Sequence, residues 1–174
     1  MTHLHQHIQQ ITGWPIDIIC HISSEEEANI YIRAKLHPAR IGGHWALVRS
    51  DIEWSDFSIR RNTWLRNFLK DYEEWTNYNN ADLIGEGYPP RDYNGDPYEL
   101  HHIGQHRDSP FAELTWEEHM GNGNNTILHK FGKESEIDRS KFDKEKSEYW
   151  QARFIAFSDD EKQKIYGTKR CEMM

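Results

Sequence analysis

Residues 99–106 read ELHHIGQH, and no other stretch limits the chain's fold so strongly. Tyr98–Ile103 has the character of a strand, where neighbouring side chains point to opposite faces. His101 and His102 therefore cannot share one explanation, and each imidazole needs its own surroundings. Gly104 follows at once and predicts a turn. His106, His119 and His129 come next, so five of the eleven histidines fall within 29 residues. Of the others, His3, His5 and His7 alternate near the N-terminus and read as terminal residues. His21, His37 and His44 are isolated and read as surface or hydrogen-bonded histidines.

Imidazole is the commonest neutral metal ligand, and it is the side chain best matched to proton transfer near neutral pH. Ligands from a strand end, a helix and the stretch after that helix can converge on one ion. Three protein ligands leave a position open for water or substrate. Spacing alone leaves two readings open, a shared ion or separate structural histidines, because His119 and His129 are ten residues apart and not one helical turn.

The flanking pattern places these residues on elements. Asn94–Gly95 predicts a hairpin turn ahead of the histidine pair. "FAELT" (111–115) reads as a short strand, and Thr115 with Glu118 has capping-box spacing for a helix over "TWEEHMG". The expected local order over 91–129 is strand, turn, strand, loop, strand, helix. Upstream, residues 1–12 predict a short helix, ended by Gly13 and Pro15. Residues 23–36 predict a second, with Ser23 and Glu26 as its capping box, and a short strand is expected at Trp45–Val48. Residues 60–75 have apolar residues at helical period. "GEGYPP" (85–90) is a breaker cluster. Residues 140–157 predict an amphipathic helix bearing Phe142, Tyr149, Trp150, Phe154 and Phe157.

The chain of 174 residues is long enough for a packed core, and its 13% aromatic content favours one. The formal charge is -8, which argues against nucleic-acid binding through a broad basic face. The surplus is local. Residues 81–130 carry -6, whereas residues 1–80 carry -2 and residues 131–174 are neutral. A divalent cation near the paired histidines would offset part of it; solvated loop charge is the alternative. Cys20 and Cys171, two cysteines far apart in sequence, do not make a disulfide framework or a zinc-thiolate site, so a reducing compartment is expected. No apolar run approaches the roughly 18 residues a membrane span needs. "MTHLHQHIQQ" lacks the order of a signal peptide.

"ELHHIGQ", "SPFAELTWEEH" and "GNGNNTILH", in that order, resemble the LHH group of the HNH/endonuclease VII nuclease superfamily. "SEIDRSKFDKEKSEYWQAR" is similar to the helix that closes that family's domain. The resemblance covers about residues 75–153 and implies an α+β fold. Together with the helices read upstream, the expected order is a mainly helical region (1–84) of unknown role, a ββα-metal, or His-Me finger, core with its closing helix (85–158) and a C-terminal tail (159–174). The resemblance further implies a metal-dependent endonuclease acting on DNA, with His102 as general base. His101, His119 and His129 would hold one divalent ion (Zn, Mg, Mn or Ni).

Many relatives are toxin domains of bacterial competition, countered by an immunity protein. A cytoplasmic site of action, reached through a secretion system, is expected on that basis. Glu118 is a candidate to orient a ligand or to be a ligand in place of His129; its alternative role is the third residue of the capping box. Asn125 is a second orienting candidate. Arg91 and Arg107 are candidates for phosphate contact. The broad HNH pattern has an orienting asparagine on its second strand, and here Ser109 or Pro110 falls near that place. Two other classes fit parts of the sequence: a non-catalytic zinc-stapled binding module, and an acidic immunity-type protein without metal.

Overall fold

The computed structural model describes residues 1–130 and 139–167. Cys171, the last residues of the chain and the start of the closing segment at 135–138 lie outside the described residues. The chain divides into two compact units, one formed by residues 1–51 and 98–143 and the other by residues 52–97 and 144–174.

The first unit begins with α1 (His3–Thr12), capped by the Thr2 hydroxyl and ended at Gly13, whose φ of 68° suits a residue without a Cβ. The short α2 (Ile16–Ile19) and α3 (Glu25–Arg33) follow. Ser24, not Ser23, caps α3, accepting from the Glu27 amide, and Ser23 instead donates to the Glu27 carboxylate. Strands β1 (His37–Ile41) and β2 (His44–Val48) then form a hairpin closed by Gly42 and Gly43, both at positive φ. The sequence predicts the strand at Trp45–Val48 but not its partner β1. Pro38 masks β1, but β1 is an edge strand, where a missing N–H is tolerated.

Strand β3 (Glu99–His102) pairs antiparallel with β4 (Phe111–Leu114), and β4 runs parallel to β2. The sheet order is β1-β2-β4-β3. Strands from the N-terminal stretch thus complete the sheet that carries the histidine pair. Helix α6 (Trp116–Met120) follows β4, and α7 (Asn124–Leu128) follows α6. Together β3, β4 and α6 make the ββα arrangement of a His-Me finger core within an α+β fold. Buried Ile18, Ile19 and Tyr31 pack with Leu47, Leu114 and Leu128, so α2 and α3 share their apolar core with the sheet and α7.

In the second unit the expected helix over 60–75 is broken. Residues Ser58–Arg61 and Thr63–Asn67 form 3-10 turns around a non-helical Asn62, and Asp71 at φ 59° restarts the chain into the single turn α4 (Tyr72–Trp75). The apolar stripe is only partly buried: Tyr72 is covered, but Trp64 and Phe68 are 67% and 70% exposed. Periodicity without a partner surface does not make a helix stable. Helix α5 (Asn80–Gly85) begins at a capping box between Asn79 and Asp82, and the 85–90 breaker cluster lies inside this unit.

Asn94–Gly95 is a turn, as expected, but it closes a lone bridge between Arg91 and Pro97 and joins no pair of strands. The Asp92 carboxylate accepts from the Asn94 and Asp96 amides and holds that turn without a ladder. The hairpin partner of β3 is β4, beyond the histidines. Helix α8 (Arg139–Ile155) buries Tyr149 and Trp150. Residues 159–166, read as tail, form α9 (Asp159–Tyr166), capped by Ser158 and joined to α5 by the Tyr166 hydroxyl, which donates to Asp82.

Candidate metal centre

His101, His119 and His129 converge. Each offers a ring nitrogen, and these atoms lie within 4.8 Å of one another. The ring centroids are 4.9 to 5.2 Å apart. Three elements deliver them. His101 sits on β3 opposite Ala112, whose small side chain leaves room on that face. His119 lies in the last turn of α6, and His129 directly follows α7. The left-handed Asn122 and Gly123 fold the chain back between those two helices.

Second partners fix how the rings present themselves. His119 Nδ1 lies 3.1 Å from Glu99 Oε1. His129 Nδ1 lies 2.8 Å from Asn125 Oδ1 and 3.2 Å from the Asn125 carbonyl. These partners accept only, so in the neutral rings both Nδ1 atoms carry the proton and both Nε2 atoms are lone pairs. Yet the two Nε2 atoms face one another at 3.2 Å. Beside them, the buried Nε2 of His101 has no hydrogen-bond partner among the described residues. Lone pairs that meet without a donor are poorly satisfied alone, and a cation satisfies them together. The donor set therefore fits a divalent ion with nitrogen ligands.

Electrostatics point the same way. Burial first, and then the neighbouring His119, His129 and His102, hold the His101 pKa well below the ordinary histidine range. Burial and His119 lower that of His129 as well. Both shifts favour the neutral ring, the form that ligation requires.

His102 has different neighbours. It lies opposite Phe111 in the register and is 3% exposed. Its ring packs between Phe111 and Phe142, at centroid distances of 4.5 and 4.8 Å. Its Nδ1 is 3.4 Å from the Ser109 carbonyl, a bond that leaves Nε2 as the basic atom. Ser109 stands near the place where the broad HNH pattern has its asparagine, and here its backbone orients the ring.

The other predicted residues are distributed as follows. Asn125 orients His129. Glu118 does not face the three rings: it closes the α6 capping box on the Thr115 amide and receives the Arg49 guanidinium. Arg49, buried at the end of β2, also donates through its amide to the Glu113 carboxylate and pairs with Asp51. It thereby ties β2, β4 and the start of α6 together. Arg107 is exposed in the loop before β4. Arg91 belongs to the second unit, and its guanidinium donates to the Gly95 carbonyl at 2.7 Å. His106 is a half-buried loop residue near His21.

Sequence reasoning missed Glu99 and Arg49. Glu99 had a signal, because residues two apart on a strand share a face and Glu99 precedes His101 by two. Arg49 had none for its reach across the sheet, since Glu113 and Glu118 are 64 and 69 residues away.

With this geometry in place, comparison with known families is decisive for one segment. Residues 79–155 match the family model described as "LHH: A nuclease of the HNH/ENDO VII superfamily with conserved LHH". This segment belongs to the LHH nuclease group. Leu100, His101 and His102 supply its LHH. No curated protein and no solved structure matched the chain. In this nuclease segment, His101, His119 and His129 could hold the metal ion that nucleases of the HNH type use.

Proposed function

We propose that the protein is a metal-dependent endonuclease that hydrolyses phosphodiester bonds of DNA, with His102 as general base. The observation that carries this is the contrast within the LHH pair. One imidazole faces two others, their lone pairs converging without a donor. The next is locked through Nδ1 with its Nε2 basic.

In the proposed reaction, His102 Nε2 takes a proton from a water molecule as that water attacks phosphorus. A new P–O bond forms, the bond to the sugar oxygen breaks, and that oxygen leaves and is protonated by solvent. A neutral imidazole in this role contributes roughly 10²- to 10⁴-fold in rate. His101, His119 and His129 would hold a divalent ion, which would supply Lewis acidity to the phosphate and the leaving oxygen. Glu99 and Asn125 keep the ligand rings in the tautomer that ligation requires.

The zinc-stapled binding module is the less favoured reading. A structural site closes on four protein ligands, and the cluster among the described residues has three. Family resemblance extends the proposal to a toxin domain of bacterial competition, acting in the cytoplasm of a target cell and countered by an immunity protein. The net charge of -8 predicts weak, salt-sensitive DNA binding.

Incubation of tag-free protein with supercoiled plasmid tests the activity. Nicking that requires an added divalent ion, and that stops with chelator, is the expected result. Intact plasmid with every ion tried contradicts the proposal.

A further inference from the structure

Helix α3 lies outside the matched family segment, yet it reaches the histidine turn. Glu27 is 1% exposed and accepts four hydrogen bonds. Its Oε2 receives the Ser23 amide and hydroxyl, at 2.9 and 2.8 Å. Its Oε1 receives the Tyr31 hydroxyl at 2.8 Å and the Gly104 amide at 2.7 Å. Gly104 is two residues beyond His102 and sits at φ 70°, ψ 9°, a conformation natural to glycine. A Cβ there would lie 2.0 Å from the His21 carbonyl oxygen, so the turn is pressed against the N-terminal helices.

We propose that Glu27 is a positioning residue for His102, acting through Gly104; this rests on His102 being the base. The backbone that leaves β3 is pinned at three successive residues. The His102 ring is bonded to the Ser109 carbonyl, and the Ile103 amide donates to the Pro110 carbonyl at 3.0 Å. The Gly104 amide, third in the run, is held by a carboxylate from 77 residues upstream. Charge-assisted hydrogen bonds of this kind are shorter and stiffer than neutral ones. Both oxygens face only donors, so an amide in place of the carboxylate would set its own N–H groups against two of them. The N-terminal region thus supplies a part of the active centre: it fixes the angle at which the base leaves the strand.

The test uses the full chain. Glu27→Gln is introduced alone and with His102→Ala, and kcat, KM and metal affinity are measured with a DNA duplex. Imidazole ¹⁵N spectra report the His102 tautomer independently of activity. Glu27→Gln alone should lower kcat about 10- to 100-fold, the cost of misplacing a reacting group by a fraction of an ångström to about 1 Å. KM and metal affinity should stay within about twofold, and the His102 signals should shift from the Nδ1–H form towards a mixture. In the His102→Ala background the same change should cost nothing further. Equal losses in both backgrounds, or metal affinity falling with kcat, would show a merely structural role and overturn the proposal. If Glu27→Gln does not fold, Glu27→Asp carries the test by drawing the carboxylate back from Gly104. A folded Glu27→Asp with unchanged kcat and His102 spectra also overturns it. If the wild-type protein cleaves no nucleic acid, the nuclease reading fails separately, and the tautomer spectra alone decide whether Glu27 sets the ring.

Discussion

His101 and His102 are adjacent on β3 and both are buried, yet their surroundings are opposed. His101 faces imidazoles, and its Nε2 has no hydrogen-bond partner among the described residues. His102 faces two phenylalanines and is tied by Nδ1 to a carbonyl. The period of a strand alone separates them, so one dipeptide can present a ligand to one side and a base to the other. The contrast also shows what orients each ring. Side-chain acceptors, Glu99 and Asn125, set the two partners of His101, whereas backbone sets His102. The ligand side is therefore open directly to point mutation, whereas the base side is reached only through the backbone that holds it.

Support for the ligand rings offers the largest effect short of removing a ligand. Glu99→Gln should weaken metal affinity about 10- to 100-fold in a calorimetric titration, leaving the His102 tautomer untouched. Asn125→Ala should cost less, because the Asn125 carbonyl still accepts from His129 Nδ1. Equal losses in the two variants would remove the distinction between these supports.

Acidity sharpens the comparison from another direction. In the metal-free protein, the pKa values of His101 and His129 lie below the ordinary value, chiefly through burial. Below about pH 6.5 the unfolded chain takes up protons there that the folded chain does not. Stability present above that pH is therefore lost progressively as pH falls through the window down to the folded values. The melting temperature of metal-free protein should drop between pH 7 and pH 5, and the drop should shrink in His101→Asn. The same slope in both proteins would show that other groups carry the acid sensitivity.

Much of the centre was legible in sequence because it is local. The LHH pair, the Thr115–Glu118 capping box and the order of β3, β4 and α6 all lie within a few turns of chain. What escaped was long-range or backbone-borne. The parallel pairing of β2 with β4, the Arg49 clamp and the reach of Glu27 to Gly104 join residues more than 60 positions apart. The Ser109 carbonyl that holds His102 has no side-chain signature at all. Residues 60–75 failed in the opposite sense: their helical period is plain, but Trp64 and Phe68 find no surface to bury against, and the segment becomes 3-10 turns. The acidic surplus of 81–130 is partly structural charge, since Glu99, Glu113 and Glu118 each hold a specific partner.

The division of labour within the pair is tested most directly by titrating His101→Ala and His102→Ala with one divalent ion while assaying plasmid cleavage by each. His102→Ala should bind one ion with wild-type affinity and cleave at least about 10²-fold more slowly, whereas His101→Ala should lose the ion and the cleavage together. Wild-type cleavage by His102→Ala, or undiminished ion binding by His101→Ala, would contradict the account.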